Sequence, residues 1–527
     1  MKSFSQPGCS WAALNSMNGN EQALYLYAEC ARLDKESQEV GLSEMQLMGQ
    51  AALASYYALA RRISPGLRHR IHMLCGPGNN GGDGLALAGH LLGAGYPAQQ
   101  IQVYQSRPAE KPAACFYQER LDALGLERRD LGAFEDDPRV SEGDVVVEAL
   151  LGTGQTEAPR GSIAGALKTL HRLQDRYART LSLVSLDLPA GLGEDRPVVF
   201  GEELPLPDEI HCYGVARLAL ALNASLRAAK TLILPMGFDP AVLASLPPTA
   251  RFYADQFDGQ DFLRGQLDHK YRAGHAMVLG GSEGMEGALL LATDSFFAAG
   301  GGIVHAFVPD PKSASAIVAA RPALMCRGFE DFEATCSEIR PPAAVLIGPG
   351  LRAADLENMR PALLAYLEKL DGRVILDAAA STLVLRPDFP SALRPRTILT
   401  PHTGEFRTLG GEPVDHVAAL LRNRDLVLQW GVHCLVKDSV SVLFSPSGQM
   451  DLMGGPLPGL ATAGSGDCLG GILLARLARA GLDAAGVASA IALHRAAARE
   501  NLNSRADELA PAIVRTLTET LHDEQET

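Results

Sequence analysis

Two hydrophobic periods alternate along this chain, and together they predict an α/β protein. Short continuous apolar runs, the mark of strands buried on both faces, fall at Arg70–Cys75, Ile101–Tyr104, Asp144–Glu148, Leu181–Asp187, Glu209–Tyr213 and Thr231–Leu234. Helical spacings fill most of the gaps between them, as after Gly84, where Leu85, Leu87, Ala88, Leu91 and Leu92 follow. The alternation pauses near residues 240–268, where Pro240, Pro247 and Pro248 precede a polar stretch from Asp255 to Asp268. It restarts at Ala276–Ser282 and continues through Ile303–Val308, Ala344–Ile347, Val374–Leu376, Ile398–Leu399, His433–Val436 and Val440–Phe444. The last two runs flank Lys437-Asp438-Ser439 and read as a strand that turns and returns. Residues 1–20 read as a tail, Glu21 to Arg62 as a helical region, and the C-terminus as a helix ending in a frayed acidic segment. The expected domains are 21–245 and 255–520. No tandem repeat or low-complexity tract interrupts them.

The strands lead into glycine loops. Cys75-Gly76-Pro77-Gly78-Asn79-Asn80-Gly81-Gly82-Asp83-Gly84 forms a strand–glycine loop–helix unit, where a doubly wound sheet binds ligand phosphates. It is not the ordinary dinucleotide fingerprint, nor a Walker loop, since no Gly-Lys-Ser/Thr follows. Asn79 and Asn80 add donors and acceptors that a structural turn does not need. Glu148 leads into Gly152-Thr153-Gly154, and Asp187 into Leu188-Pro189-Ala190-Gly191. In a parallel sheet such strand ends share one edge.

In the second half, Ala463-Gly464-Ser465-Gly466-Asp467 opens an apolar helical pattern. Glycine lets backbone N–H groups approach a phosphate at a helix start, whereas a carboxylate there is suited to taking a proton from an attacking hydroxyl. Read alone, the stretch serves equally as a helix cap. Gly348-Pro349-Gly350, Pro401-His402-Thr403-Gly404-Glu405 and Lys437 also follow apolar strands. Each has an ordinary structural reading. Together they supply backbone donors, an imidazole, a cation and a base, the set for nucleotide-dependent phosphoryl transfer to a small hydroxylated molecule.

Composition narrows the partners. At 527 residues, two large domains are expected, and a net charge of −14 argues against a general nucleic-acid or anionic-membrane surface. The nine cysteines are scattered without a C-x-x-C pair, as free thiols in a reducing compartment would be. With no signal segment and no long apolar run, a cytoplasmic protein is expected.

From about Glu21 to Ala510 the chain resembles the bifunctional NAD(P)H-hydrate repair enzymes, in which an epimerase is fused to an ADP- or ATP-dependent dehydratase. Gly78-Asn79-Asn80-Gly81-Gly82-Asp83-Gly84 is similar to the epimerase signature. Gly287-Ala288, Gly348-Pro349-Gly350, Pro401–Glu405 and Gly464–Asp467 are similar to the dehydratase set. The resemblance implies two doubly wound domains, Rossmann-like and then ribokinase-like. It implies substrate contacts at Asn79, Asn80, Gly81, Gly82, Asp83, Gly152, Thr153, Gly154 and a catalytic Asp187. It places the hydrate against Ala288, Gly350, His402 and Asp467, with Asp467 as base, and the nucleotide against Lys437, Asp438, Ser439, Val440, Ser441 and Gly466. Magnesium would accompany ADP or ATP, the substrates would be the NADH and NADPH hydrates (NADHX, NADPHX), and self-association is expected.

The family's potassium ligands fall at Asn80, Glu148 and Ala190, where relatives usually carry Asp and Ser at the last two. The extra methylene and the missing hydroxyl imply a weakened ion site and a slow or potassium-hungry epimerase. Ala379 replaces an aspartate of the usual Asp-Ala-Asp motif, while Asp377 is retained. The alternatives are a dehydratase whose first domain is a non-catalytic binding or oligomerisation module, and a small-molecule kinase. Against the kinase, such enzymes lack the Asn79–Asp83 loop.

Overall fold

A computed structural model describes residues 21–526 apart from 66–68, 137, 138, 156, 178, 179, 501, 502 and 504. The expected N-terminal tail lies outside the described residues. The chain divides into two compact units, Met1–Phe252 with Asp415–Ala418, and Tyr253–Val414 with Ala419–Thr527.

The first unit is built on a seven-stranded parallel sheet. Its order is Arg128–Asp130, Ile101–Gln105, Ile71–Cys75, Val145–Ala149, Ser182–Leu186, Glu209–Tyr213 and Lys230–Leu234. Successive side chains of one strand enter opposite cores. Met73 and Cys75 join Leu85, Leu91 and Met48 on one face, while Leu74 joins Phe134, Leu167 and Leu170 on the other. The strand order reverses between Ile71–Cys75 and Val145–Ala149. The loops leaving these two strands therefore diverge and open a crevice, the switch point of a doubly wound sheet.

The second unit repeats the logic. From Met325–Gly328 the order runs through Ile303–Val308, His275–Leu279, Ala344–Ile347, Arg373–Leu376, Thr397–Leu399 and His433–Val436, all parallel. Ser441–Phe444 and Met450–Met453 then return antiparallel, with Cys434 opposite Phe444. The switch point lies between His275–Leu279 and Ala344–Ile347, beside Gly348-Pro349-Gly350. The Ser465–Arg479 helix lies against Glu286–Ala298 so closely that a Cβ on Gly471 would stand 2.0 Å from the Ala292 carbonyl oxygen. That contact fixes the axial position of the helix carrying Asp467.

Two expected elements differ. Glu21–Tyr25, read as the start of a helix, is a strand parallel to Ala216–Arg217, because sheet pairing there satisfies its backbone. The acidic segment, expected to follow the last helix, is part of it: that helix runs Ala506–Glu526.

Candidate functional sites

The first unit has a cavity of about 550 Å³ at its switch point. Asn79, Asn80, Asp83, Gly152, Thr153, Gly154 and Asp187 line it, brought together from three strand ends. Gly78 caps the Asn79–Gly93 helix, whose first N–H groups have no partner within the helix and form an anion-binding end. Gly81 and Gly82 do not line the cavity. A Cβ on Gly81 would stand 1.8 Å from the Gly76 carbonyl oxygen, and one on Gly82 would stand 2.6 Å from Met48 Cε. Packing of the helix against its own loop explains Gly81, and packing against Met48 and Ala114 of two neighbouring helices explains Gly82.

Acids crowd this cavity. Asp83 is buried, and desolvation together with Asp187, Asp34 and Glu44 holds its carboxyl well above the usual range. Asp187 sits in left-handed backbone, φ 56°, and its Oδ1 accepts from Arg217 Nη2 at 3.0 Å. Arg217 is itself buried and also donates to the Tyr213 carbonyl at 2.9 Å. Asp187 and nearby thiols raise the guanidinium pKa against the opposing effect of burial. Sequence reasoning missed Arg217, which stands alone in an apolar run; nothing in its neighbours marked it.

The potassium expected at Asn80, Glu148 and Ala190 does not fit these residues. Glu148 is 1% exposed and is absent from the cavity wall. Its Oε1 accepts the Leu150 N–H at 2.8 Å, and its Oε2 the Ala190 N–H at 3.0 Å. Burial raises its pKa to about 7 against the opposing pull of these bonds. The Ala190 methyl packs in the apolar cluster with Leu74, Leu150 and Leu183. Of the three positions, only Asn80 offers a side-chain oxygen without a partner: Nδ2 donates to the Leu151 carbonyl at 2.9 Å and Oδ1 is free. One oxygen is not a cation cage. Both Glu148 oxygens expected to hold the ion are instead engaged by N–H groups.

The second unit has a cavity of about 470 Å³. Lys437, Asp438, Ser439, Ser441 and Gly466 line it, with Gly454–Pro458 and Leu460; Val440 is buried instead, just before the returning strand. Gly464 takes φ 92° and starts the Ser465–Arg479 helix, whose first N–H, that of Ser465, donates to the Thr462 carbonyl at 3.3 Å and whose next ones have no partner within the helix. The Lys437 ammonium hangs over this turn: it is 3.2 Å from where a Cβ on Gly466 would stand. It donates to Asp377 Oδ1 at 3.0 Å, which also accepts from the Thr400 hydroxyl at 2.7 Å. Burial, then Asp377, push the Asp467 carboxyl up to about 6, and Lys437 holds it lower than it would otherwise lie.

His402 is an exposed helix cap. Its Nδ1 accepts from the Gly404 N–H at 2.9 Å, and its own N–H donates to Glu405 at 3.0 Å. Its backbone bridges to Lys437, whose N–H donates to the Pro401 carbonyl at 2.8 Å. Gly350, φ 60°, packs on Ala288: a Cβ there would lie 3.0 Å from that methyl and 2.3 Å from the Met285 carbonyl oxygen. The structure adds His494 and Arg495 to the wall. Arg495 is held by Asp255 through two contacts of 2.9 Å. Burial, chiefly, lowers the His494 imidazole to about 3, and its Nε2 has no partner. Among the described residues no group of three or more His, Cys, Asp or Glu side chains converges as a metal site. No described helix is long and apolar enough to cross a membrane.

Comparison with known proteins matches both units. The family model described as NAD(P)H-hydrate dehydratase covers residues 276–519, and that described as YjeF-related protein N-terminus covers 44–203. A bifunctional NAD(P)H-hydrate repair enzyme of Synechocystis sp. is 28% identical over 451 residues, 82% of this chain and 81% of the relative. One from Salinibacter ruber is 28% identical over 490 residues, 87% of each. Among solved structures, an ADP/ATP-dependent NAD(P)H-hydrate dehydratase from Bacillus subtilis, co-crystallised with ATP and magnesium, is 28% identical with a TM-score of 0.41, covering 49% of this chain and 93% of its own.

Proposed function

We infer the activity of this chain from its family: it belongs to the bifunctional NAD(P)H-hydrate repair enzymes. It is a metabolite-repair enzyme, with a NAD(P)H-hydrate epimerase in its first unit and a NAD(P)H-hydrate dehydratase in its second. Reduced nicotinamide rings take up water at C6 and become useless hydrates of both configurations. The epimerase interconverts the two, and the dehydratase removes water from the S form.

We read the dehydration as phosphoryl transfer followed by elimination. Hydroxide is a poor leaving group, and phosphate a good one. Asp467 takes the C6 hydroxyl proton as the oxygen attacks the terminal phosphorus of ADP or ATP and the bridging P–O bond breaks. Elimination then expels phosphate, with loss of a neighbouring ring proton, and restores the double bond. The N–H groups of Gly466 and Asp467 in the first turn of the helix and the Lys437 ammonium are placed to neutralise the phosphates. Magnesium would arrive with the nucleotide, since it prefers phosphate oxygens and water to a full protein cage. Ala288, Gly350 and His402 are read as walls for the hydrate. In the first unit, Asp187 is read as the proton-transfer group, oriented by Arg217.

The observation that carries the nucleotide reading is the stacking of Lys437 over Gly466 beside a carboxylate raised to about 6. Purified protein given a mixture of R and S NADHX, magnesium and either ADP or ATP is expected to regenerate NADH absorbance completely. No return with either nucleotide would refute the reading. A return that stops at the S fraction would leave the first unit a binding module.

A further inference from the structure

We propose that Glu148 is an internal strut standing in place of a potassium ion: it ties the Leu150–Gly154 loop to the Asp187–Gly191 turn, so that the first site assembles without a monovalent cation. The inference rests on bonds that span two strand ends. Glu148 lies inside the Val145–Ala149 strand, yet its carboxylate reaches out of that strand in two directions. One oxygen takes the N–H of Leu150, the first residue of the loop that carries Gly152, Thr153 and Gly154. The other takes the N–H of Ala190, three residues beyond Asp187 on the neighbouring strand's exit. Hydrogen bonds to a carboxylate are the strong ones, and two of them here join the loops that line the cavity.

Side-chain length decides whether this can happen. An aspartate in this place, one methylene shorter, draws its oxygens back toward its own strand and out of reach of the Ala190 N–H, so a cation bound by oxygen atoms of both loops would have to join them instead. Ala190 completes the exchange. Its methyl is 2% exposed in an apolar cluster, so this position gives an amide donor to the strut and presents no hydroxyl. Longer acid and lost hydroxyl are thus one coordinated change, not two losses. Asn80, which lines the cavity, keeps an Oδ1 without a partner. Glu148 acts here as a positioning residue.

The test uses the full chain, with nucleotide omitted so that the second unit is silent. R-to-S conversion of NADHX is measured in potassium chloride and in choline chloride, together with amide hydrogen exchange over residues 150–154 and 187–191. Wild-type rate and exchange are expected to agree within about 2-fold between the two salts. Glu148→Gln, which keeps one acceptor and loses the other, should lower kcat by at least about 10-fold with little change in KM, the size of one lost charge-assisted hydrogen bond. It should speed exchange in both segments. Glu148→Asp with Ala190→Ser should recover rate in potassium but not in choline. A wild-type enzyme that loses its rate in choline, Glu148→Gln with unaltered exchange, or a double variant indifferent to potassium would each overturn the strut. The rate arms rest on the epimerase reading. If no conversion occurs in any salt, that reading fails, and the exchange arm, which needs no turnover, still decides for or against the strut.

Discussion

The two units use one sheet order, but their cavities sit at different places on it and carry different charge: the first at the switch point, the second beyond the end of the His433–Val436 strand. In the first, Asp34, Glu44, Asp83 and Asp187 share a cavity, and Arg217 is bound to Asp187. In the second, Lys437 stands over a glycine turn at a helix start, with Asp467 and Asp377 close behind. The difference matches the chemistry. Moving protons on a ring needs carboxyls whose pKa values burial and like charges have pushed apart. Moving a phosphoryl group needs a cation and aimed N–H groups, with one carboxylate as base. Sheet topology sets where chemistry happens, and the loop residues set which chemistry.

The sharpest way to break this comparison is Asp467→Asn. It would remove the proposed base while keeping size, so dehydration should fall by roughly 10²-fold or more, with nucleotide binding retained. Epimerisation, in the other unit, should be unchanged. Single-turnover return of NADH and chromatography of the hydrate epimers measure the two separately. Near-wild-type dehydration would remove Asp467 from the mechanism.

Gly81→Ala attacks the first unit instead. Its Cβ would fall 1.8 Å from a backbone oxygen that no side-chain rotation can move. Overpacking of this kind costs about 1–3 kcal/mol. Differential scanning calorimetry should show the first unit melting lower and epimerisation lost with it, while dehydration of purified S-NADHX survives. Unchanged melting would mean the loop carrying Gly76 yields more easily than its packing implies.

How far these sites were legible in the sequence depended on the kind of signal. Strands buried on both faces announce themselves as apolar runs, and Val145–Ala149 or Ala344–Ile347 needed nothing more. Glu21–Tyr25 and Met450–Met453 were missed because their short runs carry Glu21, Gln22 and Asp451, which mask the strand pattern. The glycine loops were legible because a tight turn and close backbone approach restrict the residue type. Their roles were less so: Gly81, Gly82 and Val440 turned out to be packed rather than lining a cavity. Asp377 was noticed but given no contact. Its signal was there, a carboxylate directly after the Arg373–Leu376 strand, though only the fold shows that it meets Lys437 and Thr400. The partners of Glu148 had no sequence signal, since most are backbone N–H groups and the Ser185 side chain meets it only across the sheet.

Lys437→Met sharpens the contrast in charge. It should weaken ADP or ATP binding by about 10-fold, within the range for loss of a charge-assisted contact, and leave hydrate binding less affected. Calorimetry with each ligand measures both. The pH profile supplies a second readout. As the proposed base, Asp467 would act only when ionised, so wild-type dehydration should rise with pH through about 6 and level above it. Lys437 lowers that pKa, so its removal should shift the rising limb to higher pH. An unmoved limb with unchanged nucleotide affinity would make Lys437 a bystander.

The smallest expected effect comes from Gly466→Ala, the counterpart of Gly81→Ala in the second unit. Gly466 lies in the first turn of a regular helix, without the left-handed backbone of its neighbour Gly464. The nearest atom to an added Cβ is the tip of a flexible lysine, at 3.2 Å, rather than a carbonyl. Lysine can give way by a few tenths of an ångström, and alanine favours the helix over glycine by about 0.5–1 kcal/mol in a helix interior. Stability should therefore hold or rise slightly. The displaced ammonium, and a methyl where phosphate oxygens approach the turn, should still weaken nucleotide binding, by about 2- to 5-fold, below the effect of removing the lysine charge outright. Calorimetric titration of ATP alongside thermal melting reads both. A loss of stability like that of Gly81→Ala would mean the two glycines serve one packing purpose, and unaltered ATP affinity would mean the phosphates do not approach this turn.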